Sequence, residues 1–308
     1  MIERVYVKDT RNEQGVMLAA RSEEATSDSA PTVPGSRWPA RLELWFEPGS
    51  ERTRLARRLH SGPLVVQRPF YPERDGTAHV YLLHPPGGVA GGDSLEIACH
   101  LGPGARVLLT MPGATKFYRS VSNPARMRTM IEVGAGAVCE YLPQETILFD
   151  GADAAMETRI ELADDATYTG WEFVSLGRPA AGEGFAGGTL RQRVEVIRAG
   201  RPIWFERLAL GAGPALLDAP FAFGGKPIVG TMVHAGPAFE NTVERIREAV
   251  AQERASDVFS ASQLKDILVC RYLGESMSQG KALFRRAWEV LRRGPLGKPA
   301  IAPRVWST

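Results

Sequence analysis

Cysteine is scarce in this 308-residue chain: Cys99, Cys139 and Cys270 are three in number and far apart. That excludes a disulfide framework and a Cys-x-x-Cys metal clip, and each cysteine lies in an alternating run, as a buried thiol of a reducing compartment does. An excess of one charge sign is also lacking. With 37 Lys and Arg against 35 Asp and Glu, the net charge of +2 gives no electrostatic case for nucleic acid. The one basic cluster, Arg52, Arg54, Arg57 and Arg58, reads as a solvated face. No apolar run approaches membrane-spanning length, and Met1-Ile2-Glu3-Arg4 opens no signal core, so a cytoplasmic protein without membrane contact is expected. Catalytic signatures are missing too. There is no Gly-x-Ser-x-Gly elbow and no His-x-x-x-His pair, and His60, His79, His84, His100 and His234 stand isolated.

What is present is mostly period-two alternation. Residues 1–37 are poor in large apolar side chains and rich in Ser, Glu, Ala, Thr and Pro, which predicts a flexible extension. From Trp38 the pattern changes. Residues 41–47, 156–162 and 190–196 alternate apolar with charged positions, as half-buried strands do, and residues 62–72 read as extended. A strand-turn-strand unit recurs: Leu101-Gly102-Pro103-Gly104-Ala105, then Val133-Gly134-Ala135-Gly136-Ala137, with a fainter copy at Leu162-Ala163-Asp164-Asp165-Ala166. Repetition of one such unit predicts stacked β layers, a β-solenoid or an elongated sandwich, over residues 38–236. After Pro237 the period becomes helical. Phe239, Val243, Ile246 and Val250 mark one helix, residues 266–273 a short strand, and Ser276 with Gln279 the capping box of a second helix. That helix carries Met277, Phe284, Trp288 and Leu291 on one side and ends at Gly294-Pro295, with Arg292 and Arg293 placed to meet the dipole. The expected fold class is therefore mainly β, a stacked-strand body with a helix-strand-helix unit at 237–308 packed on it.

The most unusual stretch follows the strand-like run 79–83. His84-Pro85-Pro86-Gly87-Gly88-Val89-Ala90-Gly91-Gly92-Asp93 combines residues that fix φ with residues that free it, so it specifies one path. As a phosphate cradle it fails: no Gly-Lys-Ser/Thr or Gly-x-Gly-x-x-Gly spacing lies within it, and residues 94–99 alternate like a strand instead of opening a helix. A plain strand-to-strand corner remains open. Polar residues gather in further loops: Lys116, Tyr118 and Arg119, then Gln144 with Glu145, then Arg178 with Glu183. Glu145 and Glu183 sit among apolar or glycine residues, and a buried carboxylate needs a cation or donors. For Glu183, either Arg178 or a passing divalent cation meets that need.

Taken in order, Trp38-Pro39-Ala40-Arg41-Leu42, residues 67–72, the 84–93 loop, residues 112–119, Leu142-Pro143-Gln144-Glu145, Gly177-Arg178-Pro179, Glu206-Arg207-Leu208 and Pro303-Arg304-Val305-Trp306 resemble the urease accessory protein family UreD, also called UreH. The resemblance covers residues 38–306. It implies a solenoid-like β body with a helix pair, no enzymatic activity, and a scaffold that binds apo-urease, the helical UreF and the GTPase UreG. It also implies an internal passage for nickel towards urease, with no tightly bound cofactor. On that basis Asp93, Glu145 and Glu183 are expected to offer transient nickel contacts, since oxygen ligands without thiolates hold nickel weakly. The 84–93 loop is then expected to shape the passage or a partner surface. A hydrolytic β-solenoid using paired carboxylates is the alternative.

Overall fold

The alternating segments form strands in the computed structural model, which describes residues 38–307 apart from 122, 212–213, 239, 252, 254–256 and 295. The stretch expected to be an extension, Phe239 of the first helical stripe, and Pro295 lie outside the described residues. The strands are β1 (Pro39–Pro48), β2 (Thr53–Ser61), β3 (Val65–Val66), β4 (Ala78–Leu83), β5 (Ser94–Leu101), β6 (Arg106–Thr110), β7 (Thr115–Phe117), β8 (Ala125–Val133), β9 (Val138–Tyr141), β10 (Thr146–Leu148), β11 (Asp153–Leu162), β12 (Thr167–Leu176), β13 (Thr189–Arg198), β14 (Arg201–Gly211), β15 (Ile228–Ala235), β16 (Val258–Leu264) and β17 (Ile267–Gly274). The helices are α1 (Pro214–Leu217), α2 (Thr242–Ala251) and α3 (Met277–Arg293).

The repeat is a coil. From β5 the chain crosses to β6, passes β7 and returns to β8, which lies parallel to β5. The path β8–β9–β10 then repeats it, and β11–β12 repeats it again. The first sheet has the order β14-β13-β11-β8-β5-β1-β2, and the second runs β16-β17-β15-β12-β9-β6-β4-β3, with β10 and β7 joined at the end of β12. The recurring glycine turns stack with the coils. Gly134 N–H donates to Leu101 O at 2.9 Å, Ala163 N–H to Val133 O at 2.9 Å, and Gly136 N–H to the Asp165 carboxylate at 2.8 Å. The ladder thus continues through the corners and leaves few backbone groups unpaired. Antiparallel strands close both ends of the parallel stack: β2 and β3 at one, β14, β15 and β17 at the other.

The first sheet turns one face to solvent, so β1, β5, β8 and β11 alternate between buried and accessible positions. The second is covered on both faces. Its far side packs α2 and α3 through Ile246, Val250, Phe284, Trp288 and Leu291 against Trp171, Phe173, Met232, Leu268 and Cys270. Close packing needs Gly280, because a Cβ there would stand 2.7 Å from the Tyr272 ring. Ser276 caps α3 as expected, its Oγ accepting the Gln279 N–H at 3.3 Å. The C-terminal strand expected at 266–273 is β17, and β16 pairs with it as a hairpin.

Arg292 and Arg293 lie in the last turn of α3 as expected, and Arg292 is in addition fully buried, its Nε 2.9 Å from Glu140 and its Nη1 2.8 Å from Glu73. The three cysteines are free and buried, and burial pushes the Cys99 and Cys270 thiols up to about 12.

Candidate functional site

Inside the stack, side chains in register across the first sheet form the row Leu42, Ile97, Thr129, Thr158, Val194 and Glu206. The facing row of the second sheet is Glu172, Thr231 and Arg271. The row is apolar where β1 and β5 pack and turns polar towards β14 and β17. Two cavities, of about 20 and 40 Å³, lie along it and share Glu172 as a wall; each has room for water. The smaller is lined by Thr115, Thr129, Tyr141, Gln144, Thr146 and Thr158 among others, and the larger by Tyr168, Gln192, Glu206 and Thr231.

Glu172 accepts hydrogen bonds from Thr158 Oγ1 and Gln192 Nε2, both at 2.5 Å. Burial pushes its carboxyl above the ordinary value, the two donors pull it down, and neighbouring Glu206 adds to the rise. Glu206 takes Arg271 Nη1 on Oε1 at 2.6 Å, while its buried Oε2 has no partner among the described residues. Two carboxylates thus face this part of the stack, one disfavoured as a charge by burial and one with a single oxygen unpartnered among the described residues. Sequence reasoning missed Glu172, Gln192 and Thr158. Glu172 lies in a strand buried on both faces, where no alternation marks it. Glu206 was visible only as part of the Glu206-Arg207-Leu208 motif.

The residues singled out from the sequence gather elsewhere. In the 84–93 loop, Pro85, Pro86 and Gly87 are exposed, with Gly87 at φ +78° and Gly92 at +91°. Its N–H groups are used internally: Gly87 donates to His84 O at 3.0 Å and Val89 to Lys116 O at 2.7 Å. The loop therefore pairs with β7 and offers no anion cradle. Gly88 touches the Tyr118 ring so closely that a Cβ would overlap it, and a Cβ on Gly91 would stand 2.9 Å from the Asn123 carbonyl oxygen. Burial pushes the half-buried His84 imidazole below its ordinary value, against a smaller upward pull from Asp93. The Asp93 carboxylate accepts N–H groups from Ala90 at 3.0 Å and Trp38 at 3.3 Å, closing the loop onto β1.

Tyr118 meets Phe149 edge-on at 5.0 Å, and the Arg178 guanidinium covers Phe149 at 4.5 Å. Arg178 is paired with Glu183, and Arg119 with Asp150 at 3.0 Å. Backbone N–H groups of Gly187 and Ala186 hold the Asp150 carboxyl below its ordinary value. Gly182-Glu183-Gly184-Phe185-Ala186-Gly187 has dinucleotide-site spacing, but it lies between a 3-10 turn and β13 and opens no helix. Gln144 and Glu145 stand apart, at Lys281 of α3. Asp93, Glu145 and Glu183 thus each have their own partner and are not brought together; among the described residues no group of three or more metal-ligating side chains is present. No described helix is long and apolar enough to cross a membrane.

Fold and interior define a class: a parallel β-coil body with the half-buried carboxylates Glu172 and Glu206 between its sheets, and two helices laid over one sheet. The profile of the family described as UreD urease accessory protein matches residues 39–307. The chain is 61% identical over 272 residues to Urease accessory protein UreD 2 of Brucella anthropi, covering 88% of this chain and 98% of that protein. It is 42% identical to the UreD of an Azoarcus species, over 88% of this chain and 94% of that protein. With the UreD of Pseudomonas putida it shares 40% identity over 95% of this chain and 100% of that protein. The chain belongs to the UreD urease accessory protein family.

Proposed function

We propose that this protein is a non-enzymatic scaffold of urease maturation that binds apo-urease, UreF and UreG in the cytoplasm and passes nickel through its interior, without holding a cofactor tightly. One observation carries the passage: the water-sized cavities around Glu172 and Glu206 carry oxygen and amide groups of Thr, Gln, Tyr and Glu side chains among apolar lining residues. Oxygen ligands spaced along a path bind nickel weakly enough to release it. Glu145, beside the lining residue Gln144, is the outer contact, while Asp93 and Glu183 hold the loops that frame the cluster of Gly88, Tyr118, Phe149 and Arg178. UreF docks on the outer faces of α2 and α3.

The test is co-expression with a urease operon lacking this chain. Active urease is expected only when the chain is supplied, and Glu172→Leu is expected to lower activation at least tenfold, the effect of about 1.4 kcal/mol on a limiting step, with the complex still assembled. Full activation by Glu172→Leu removes the passage, and turnover of a substrate by the purified chain removes the scaffold. Charge reversal at the exposed Arg245 and Arg286 tests the docking, with loss of UreF in a pull-down as the expected result.

A further inference from the structure

Loops 84–93, 118–121, 149–152 and 178–188 meet at the corner where the strands of the first sheet begin, and backbone bonds tie each to the next. Tyr118 N–H donates to Val89 O at 3.0 Å, Ser120 N–H to Gly151 O at 2.9 Å, and Gly151 N–H to Gly187 O at 3.0 Å. On this fixed ground the fold leaves three large apolar side chains uncovered: Trp38 is 53% exposed, Tyr118 38% and Val121 97%. The carboxylates of the corner turn inward. Asp93 accepts the Ala90 and Trp38 N–H groups, Asp150 accepts Ala186 and Gly187 N–H at 2.9 and 2.7 Å, and Glu183 accepts the Asp150 N–H at 3.3 Å. The guanidinium groups turn outward. Arg119, Arg126, Arg178 and Arg191 are all exposed, and Arg126 and Arg191 share one row across β8, β11 and β13 with Ala155 between them.

We propose that this corner is the surface that holds apo-urease, through an acidic patch of that partner. The inference rests on the scaffold reading and gives it a surface. Trp, Tyr and Arg are the side chains that dominate the energetics of protein interfaces, and an uncovered apolar patch ringed by polar groups marks such a site. Loops already tied to one another lose little freedom when a partner binds. Guanidinium groups whose neighbouring carboxylates are occupied by N–H donors attract carboxylates from outside the chain. Position selects the partner. Helices α2 and α3, assigned to UreF, cover the second sheet, whereas Arg126 and Arg191 stand on the solvated face of the first. Strands β7 and β10 join the corner to the interior: Thr115 and Thr146 at their starts line the smaller cavity, and Tyr118 and Phe149 follow their ends. A metal ion leaving the stack on this side meets the partner that receives it.

Binding of the purified full chain to purified apo-urease, read by biolayer interferometry at low and high salt, tests this. Val121→Asp and Arg126→Glu change exposed side chains, and each is expected to weaken binding at least tenfold. Val121→Lys is expected to bind at least as tightly as the wild type, whose own binding is expected to weaken as salt rises. UreF is expected to be retained by all three variants. Equal loss in Val121→Asp and Val121→Lys overturns the acidic patch, and wild-type affinity in both Val121→Asp and Arg126→Glu overturns the docking surface. Loss of UreF or UreG in place of apo-urease overturns it as well. A wild-type chain that does not bind apo-urease removes the scaffold reading itself, while a wild-type chain that binds and is indifferent to the substitutions removes this inference alone.

Discussion

Arg292 shows how much can rest on one side chain. Its guanidinium is shared between Glu140, on a central strand, and Glu73, which also meets His79 Nε2 at 2.6 Å and Lys298 Nζ at 3.1 Å. A buried pair of this kind contributes little over an apolar replacement of the whole set, but removing one partner strands the others. Arg292→Met is therefore expected to cost about 3–5 kcal/mol, measured as a fall in the denaturant midpoint. Glu172 behaves oppositely. Its carboxyl is raised, so the fold binds its proton more tightly than the unfolded chain does, and its contribution to stability declines as pH rises above the ordinary carboxylate range. Glu172→Gln is expected to raise the melting temperature at pH 7, while urease activation falls. A variant that lost both stability and activation would mark Glu172 as structural only.

Among the elements, α3 carries the most. Leu283, Phe284, Ala287, Trp288 and Leu291 are all buried, and each large apolar side chain contributes about 1.5–3 kcal/mol. The helix can lie so low only because Gly280 has no side chain against Tyr272 and Phe173. Gly280→Val is expected to destabilise by about 1–3 kcal/mol through overpacking, although valine removes backbone freedom from the unfolded chain. Thermal unfolding followed by circular dichroism reads the difference, and a stabilised variant would show that α3 can lift without loss. β12 is the complementary case. It passes under α3 with nearly every residue buried, so Trp171 and Glu172 point to opposite faces, one to the helices and the other to the cavities.

At the scale of the whole molecule, the stack is apolar at one end and polar along its interior at the other, with the charged Glu73 cluster joining the C-terminal segment to the β body. Burial alone would raise the Glu73 carboxyl, but the hydrogen bond from His79 and the charges of Arg292 and Lys298 overcome it and hold the group at about 2. Asp75 is held at about 2 as well, where burial is outweighed by Thr77 and Lys298. Both groups are charged in the fold at pH values where the unfolded chain is protonated. Their stabilisation is full above pH 4.5 and is lost as pH falls towards 2; for Glu73 this amounts to about 3 kcal/mol. A melting temperature that stays level between pH 4.5 and 2.5 would contradict the arrangement, and Arg292→Met is expected to flatten the profile.

The sequence by itself determined the strands of the solvated sheet, the stacked turns and the caps of α3. Each is set by local physics: period-two burial against water, glycine at the corners, a serine oxygen on a free N–H. The family motifs were equally legible, and they mark the cluster where Gly88, Tyr118, Phe149 and Arg178 meet. Only the tertiary structure decided the pairing of Lys281 with Glu145, the burial of Arg292 and the place of Glu172 between the sheets. The second sheet is covered on both faces, so its sequence carries no alternation to separate the helix-facing side from the cavity-facing side. The partners of its charged groups lie up to 219 residues away in the chain, where no spacing rule reaches.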